Sequence, residues 1–254
     1  RFMSDWSFAE GSRLRIDLPT GSVRISPHES PGVSVSMNDD VADQMRVTLH
    51  GDVVVIEPAS RNLRSSIDVI VRAQPHVSAE ARLATASFLA SVALGDLNLK
   101  SATGDITVGD VDGDVRLKVA TSRITMGKVA GSVDVSAASA DVYLSQVEGP
   151  CRIKTASGDV RITKAAADVD VKTVSGDVEV ADCSGRSVHV KTLSGDVTLG
   201  IPERRVVDVD LRSTSGQVRS DLERTDGPRT GQLLTSVASV SGSIRLVRAK
   251  NSEF

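Results

Sequence analysis

A short phrase, Ser-Gly-Asp followed by an aliphatic residue, returns with variations at a fixed spacing through the middle of this chain. Ile106, Ile124, Val142, Val160 and Val178 are each 18 residues apart, and Val197, Val218 and Ile244 extend the series at 19, 21 and 26. A unit this small cannot bury an apolar face alone. It must stack on its neighbours, so a steady period predicts a repeat architecture with one shared core.

With Gly113 as position 1, apolar residues fall at positions 3, 5, 12, 14 and 17, as in Val115, Leu117, Ile124, Met126 and Val129. Val133, Val135, Val142, Leu144 and Val147 form the next set, and Cys151, Ile153, Val160, Ile162 and Ala165 the one after. Positions 3/5 and 12/14 alternate with polar residues, which marks strands with one face inward. Glycine and small polar residues between them supply the turns. Position 9, which a left-handed hexapeptide coil would fill with an aliphatic, is Ser or Thr. The expected fold is all-β: a parallel β-solenoid of 18-residue rungs. The general crossover preference implies a right-handed β-helix.

The pattern weakens toward both ends. Residues 76–94 thread as one more, degenerate rung through Ala79, Ala81, Phe88, Ala90 and Ala93, although Ser78-Ala79-Glu80-Ala81 would also open a short helix. Residues 12–73 hold strand-like runs at Leu14–Leu18, Val23–Ile25, Val33–Met37, Arg46–Val55 and Ile67–Val71, without the 18-residue phase. The expected organisation is an N-terminal β-strand cap over 3–75 and solenoid repeats over 76–250, most regular over 95–200. A cap has a physical purpose, because an open solenoid end is a row of unpaired backbone groups. Asp221–Gly231 reads as a polar surface loop, and residues 1–2 and 252–254 as additions to the ends.

Composition narrows the functional classes. Aromatic residues make up only 2% of the chain, which leaves the core to Val, Ile, Leu and Ala and suits a thin, regular interior. A net charge of −3, with both signs interleaved and no aromatics among the basic residues, argues against nucleic-acid binding. No apolar run reaches the ~18 residues of a membrane span, so direct membrane insertion is not expected. The start Met3-Ser4-Asp5-Trp6 lacks a signal-peptide layout, and the chain reads as cytoplasmic unless an export signal has been trimmed. Cys151 and Cys183 both fall at apolar positions, 32 residues apart. Their expected separation along the stack, roughly 8–9 Å at the spacing of paired strands, exceeds a disulfide's reach. Two reduced core thiols are expected.

Several repeated polar residues invite a chemical reading. Asp105, Asp141, Asp159, Asp177 and Asp196 form a carboxylate column, but calcium-binding β-rolls need Gly-Gly-x-Gly-x-Asp spacing, and here no more than a single Gly precedes the Asp and the aliphatic follows at once. These aspartates are expected to bond the backbone of their own turns. Lys100, Lys118, Lys154, Lys172 and Lys191 lie across that turn. The outward position between 3 and 5 reads Arg116, Asp134, Arg152, Asp170, with His189 and Asp210 continuing, so charge signs alternate rung by rung. Such alternation suits surface ion-pair ladders. Arg116, Asp134, Arg152, Asp170 and His189, with Lys154, Lys172 and Lys191, are therefore candidate interaction ladders. No catalytic, cofactor-binding or metal-ligating set is expected, since no nucleophile elbow, phosphate loop or CxxC pair occurs.

The phrases Lys154-Thr155-Ala156-Ser157-Gly158-Asp159-Val160, Lys172-Thr173-Val174-Ser175-Gly176-Asp177-Val178 and Lys191-Thr192-Leu193-Ser194-Gly195-Asp196-Val197 resemble the bacterial Toastrack family of β-strand repeats, often labelled putative adhesins. So do Leu14-Arg15-Ile16-Asp17-Leu18-Pro19-Thr20-Gly21-Ser22-Val23 and the segment from Gly200 to Gly216. The resemblance implies a β-helical stack and roles in envelope-stress sensing or at surfaces. It carries no catalytic or cofactor residues. The first functional expectation is a non-catalytic scaffold or interaction module that binds a protein partner or copies of itself. A ligand-sensing domain of an envelope-stress pathway is the alternative, and a carbohydrate-active β-helix enzyme the more distant one.

Overall fold

The computed structural model describes residues 3–9, 11–60, 65–203, 205–222 and 231–249. The terminal additions expected at 1–2 and 252–254, and most of the Asp221–Gly231 loop, lie outside the described residues. The chain is nearly all strand and forms two compact units, residues 1–127 and 128–254.

Unit 1 contains β1 (Met3–Phe8), β2 (Arg13–Pro27), β3 (Val33–Asn38), the single-turn helix α1 (Asp39–Ala42), β4 (Met45–His50), β5 (Val53–Pro58), β6 (Ile67–Ala73), β7 (Val77–Ala90), β8 (Leu94–Thr103), β9 (Ile106–Val108) and β10 (Val115–Val129). The 76–94 stretch is a strand rung, not a helix. Its alanines and Phe88 face inward because their two-residue alternation matches the pleat. β2 pairs in parallel with β7, and on its other edge with β5 and β6. Val69, Val23, Phe88, Ile106 and Ile124 thus lie opposite one another in one buried column.

The coil therefore starts at residue 13, inside the segment expected as cap. Leu14, Ile16, Val23 and Ile25 show the same nine-residue offset as the later rungs. The 18-residue phase is lost because the intervening chain turns back and lays β5/β6 on the far side of β2. True capping falls to three antiparallel strands: β3 on β6, β1 on β3, and β4 on β5. Val33, Val35 and Met37 of β3 are buried by this cover.

Unit 2 contains β11 (Val133–Val147), β12 (Cys151–Lys154), β13 (Val160–Ala165), β14 (Val169–Lys172), β15 (Val178–Cys183), β16 (Ser187–Ser194), β17 (Val197–Ile201), β18 (Val206–Ser213), β19 (Val218–Ser220), β20 (Gln232–Ser241) and β21 (Ile244–Arg248). Val142, Val160, Val178 and Val197 sit directly opposite one another in parallel strands, all fully buried. The core column inferred from the repeat is real. Its order changes at the end: Val197 lies opposite Ile244, and Ile244 opposite Val218. Chain order would have placed β18/β19 next to β16/β17, but β20/β21 takes that place and β18/β19 becomes the outermost coil among the described residues.

Tight corners let the coils stack. At Gly176 φ is +135°, and an added Cβ would lie 2.1 Å from the carbonyl oxygen of Gly158 on the preceding coil. Only glycine meets both demands. The neighbouring aspartates bond differently from expectation. Each carboxylate accepts an N–H from the next coil rather than from its own turn: Asp141 from Asp159 (3.1 Å), Asp159 from Asp177 (3.0 Å) and Asp177 from Asp196 (2.8 Å). Asp196 ends the series by accepting from Ser243 at 2.7 Å. At the corner the backbone has just left the strand ladder, so its N–H points along the stack and meets the neighbour's side chain first.

Cys151 and Cys183 are buried free thiols in different columns, opposite Val169 and Ala165 respectively. Burial, with a smaller push from Asp134 and Asp182 respectively, raises each thiol to about 12.

Candidate interaction surface

Outward residues of each strand form columns because every coil repeats the register of the last. In unit 2, Asp134, Arg152, Asp170 and His189 lie opposite one another on successive strands. Arg152 reaches Asp170 at 3.7 Å and Lys172 reaches the same carboxylate oxygen at 3.6 Å. The other oxygen of Asp170 is buried without a hydrogen-bond partner among the described residues. These exposed pairs each contribute about 0–1 kcal/mol. Arg116 belongs to unit 1, opposite Asn98, with its guanidinium 3.8 Å from Asp114.

The column does not pass from His189 to Asp210. Ser236 lies opposite His189, and Asp210 lies beyond it, paired with Arg212 at 2.8 Å. The short serine leaves a shallow depression of about 230 Å³, bordered by Ser187, His189, Asp208, Asp210 and Leu234. His189 and the two aspartates stand on strands separated by β20. Among the described residues no three potential metal ligands converge.

Lys154, Lys172 and Lys191 form a second column, two residues farther along each strand. Lys100 and Lys118 face each other likewise in unit 1. Like charges held this close repel one another. Lys154 and Lys191 have no ion pair among the described residues, so these cations remain available to a partner.

One feature of this surface escaped the reading of polar ladders. Val174, Leu193, Val206, Val209, Val218, Leu234 and Val240 are exposed, against only Met3 and Leu89 before them among the described residues. Val209 and Val218 occupy inward columns, yet they are 47% and 46% exposed because no described strand covers the outer side of β18/β19. The others lie outside the core. A signal for part of this was present: in the repeated Lys-Thr-x-Ser-Gly-Asp phrase, x grows from Ala156 to Val174 to Leu193.

Short corners, parallel registers and ladder surfaces define a β-solenoid repeat protein. The chain belongs to the Toastrack DUF4097 family, whose description matches residues 12–247. Similar solved structures include a putative adhesin of Parabacteroides distasonis (12% identity, TM-score 0.46) and one of Bacteroides fragilis (11%, 0.48). A putative lipid binding protein of Parabacteroides distasonis aligns at 13% identity and a TM-score of 0.46. In all three, 97% of this chain and 96% of the other are covered. No curated protein matches the sequence. Among the described residues no helix is long and apolar enough to cross a membrane.

Proposed function

We propose that this Toastrack domain is a non-catalytic interaction module that receives an extended strand of a protein partner at the outer edge of β18/β19. One observation carries the reading: the inward-column valines Val209 and Val218 are half exposed beside a strand edge that no described strand pairs. An added strand would satisfy the free backbone groups and cover the valines together, which is how sheet edges recognise peptides.

The test uses the whole chain as bait in extract of its source cells, beside the variant Val209→Lys/Val218→Lys. A captured protein should be lost with the variant, and its binding should slow amide hydrogen exchange in β18 and β19. Equal capture by both baits, or unchanged exchange in those strands, would overturn the reading.

A further inference from the structure

Unit 2 carries a second surface, away from the β18/β19 edge, whose chemistry is complementary to itself. On successive coils the residue between the buried Thr and the corner Ser is Ala156, Val174 and Leu193, and Val240 holds that place on the next. Leu193 and Val240 point outward by strand alternation, whereas Ala156 and Val174 lie just past the ends of β12 and β14, exposed at the corner. Val174, Leu193 and Val240 are 50%, 52% and 46% exposed. Ser175 pairs with Ser194 and Ser194 with Ser241, so the three aliphatics line up as one stripe across the coils. A lone exposed aliphatic is ordinary, but a column of them marks a contact surface.

Two columns of opposite charge border the stripe. On one side stand Lys154, Lys172 and Lys191, two residues before it; on the other stand Asp159, Asp177 and Asp196, three residues after it. Asp177 and Asp196 each accept one backbone N–H and form no ion pair among the described residues. Lys191 has none either. Asp159, first in its column, is already engaged by Arg161 at 3.4 Å, and Lys172 lies 3.6 Å from Asp170. Around Leu193, then, each coil presents a cation, an aliphatic and an anion, in that order along the chain.

We infer that this stripe is a contact between two copies of the chain, related by a two-fold axis along the aliphatic column. Rotation about that axis reverses the order of the columns. The lysines of one copy then face the aspartates of the other, while the aliphatic side chains meet between them. Both copies have the same coil spacing, so the match recurs on the coils of Val174 and Leu193, which carry all three side chains. The Val240 coil has Ala238 and Ser243 in the charged places and adds only its aliphatic. Such an isologous contact closes on itself and gives a dimer, not a fibre. An anionic membrane or a nucleic acid would meet the lysines but be repelled by the aspartates. Four coils at ~4.8 Å and about six residues of chain across the corner give a patch of roughly 400 Å² per copy. That is about half of a standard stable interface, so the dimer is weak and reversible.

Analytical ultracentrifugation of the full chain, from micromolar to millimolar concentration at low and high salt, tests this. The wild type should form a dimer that weakens as salt rises. Val174→Glu/Leu193→Glu, at exposed positions, should abolish it, with circular dichroism verifying the fold. Lys172→Glu/Lys191→Glu should weaken it at least about tenfold. Asp177→Asn/Asp196→Asn keeps the oxygen that accepts the backbone N–H and should weaken it as well. A monomer at every concentration overturns the inference, and so does a dimer indifferent to both charge sets. Co-sedimentation of a monomer with phosphatidylserine-containing vesicles would assign the stripe to a lipid surface and overturn it too. Val209→Lys/Val218→Lys should leave this dimer unchanged, so it stands or fails separately from the strand-edge reading.

Discussion

The outermost coil of unit 1, β5/β6, has a strand on each side, whereas that of unit 2, β18/β19, has one on a single side among the described residues. β6 and β19 each place a valine in an inward column, Val69 and Val218. Val69 of β6 is nonetheless fully buried, while Val218 of β19 is 46% exposed. Burial here is conferred by the next strand, not by the residue's own chemistry. Antiparallel β3 and β4 close one end, using chain inserted between β2 and β5 and so unavailable to the 18-residue repeat.

The outer ends of both units also depart from chain order. β2 is flanked by β5/β6 and β7, and β20/β21 by β16/β17 and β18/β19. At the second end this has a topological consequence. β18/β19 pairs with nothing but β20/β21 among the described residues, so it docks only after strands later in sequence are in place. Pairings over such separations cost loop-closure entropy before they return any stabilisation.

The sharpest challenge to this contrast is a charge placed at an inward position of each unit's outer coil. Val69→Asp buries an unpaired carboxylate and should lower stability by about 3–5 kcal/mol. Val218→Asp, at a half-exposed position, should cost no more than about 1 kcal/mol. Chemical denaturation midpoints of the two variants give the comparison. Equal losses would mean that β19 is covered in solution and that the two ends are finished alike.

A second effect asks how far the opening reaches into unit 2. If it stops at the last coil, Cys151 and Cys183 should resist iodoacetamide in the native protein and react once it unfolds. Their raised values also fix a pH dependence. Unfolded thiols ionise near the ordinary 9.0, whereas the folded ones hold their protons to about 12. Stability should therefore be intact below pH 9.0 and fall as pH rises toward about 12, by at most about 4 kcal/mol per thiol. Cys151→Val/Cys183→Ala should flatten that alkaline decline. Rapid native alkylation would show that the opening is not confined to β18/β19.

The period made much of this legible. Val142, Val160 and Val178 had to lie in adjoining layers, because a slip of one residue would turn every aliphatic outward. Periodicity reports which residues share a column but not the spatial order of the coils, so Val218 and Ile244 could be placed in phase and still be exchanged. Leu14, Ile16, Val23 and Ile25 carried a rung's nine-residue offset, yet a lone rung before a long insertion has no neighbour in sequence to reveal it. The polar columns were visible for the same reason as the core. The exposed valines at β18/β19 were not, since an inward-phase valine looks the same whether or not another coil follows.

The smallest expected effect belongs to the closed end. Asp52, in the turn between β4 and β5, accepts hydrogen bonds from Ser12 at 2.8 Å and from Arg13 at 3.0 Å, tying that hairpin to the start of β2. The Ser12 bond, then the Arg13 bond, holds its carboxyl below the ordinary 3.8. A lowered folded value favours the folded state above the unfolded value, and the benefit disappears as pH falls through the folded one. Asp52→Asn should therefore melt slightly below the wild type near pH 7, and the gap should close as pH falls below the ordinary 3.8. Asp52 is solvent-exposed, so high salt should shrink the gap as well. A gap that persists in acid would mean the hairpin is held by the β4–β5 ladder and cap packing alone, with the charged turn adding nothing to the closure.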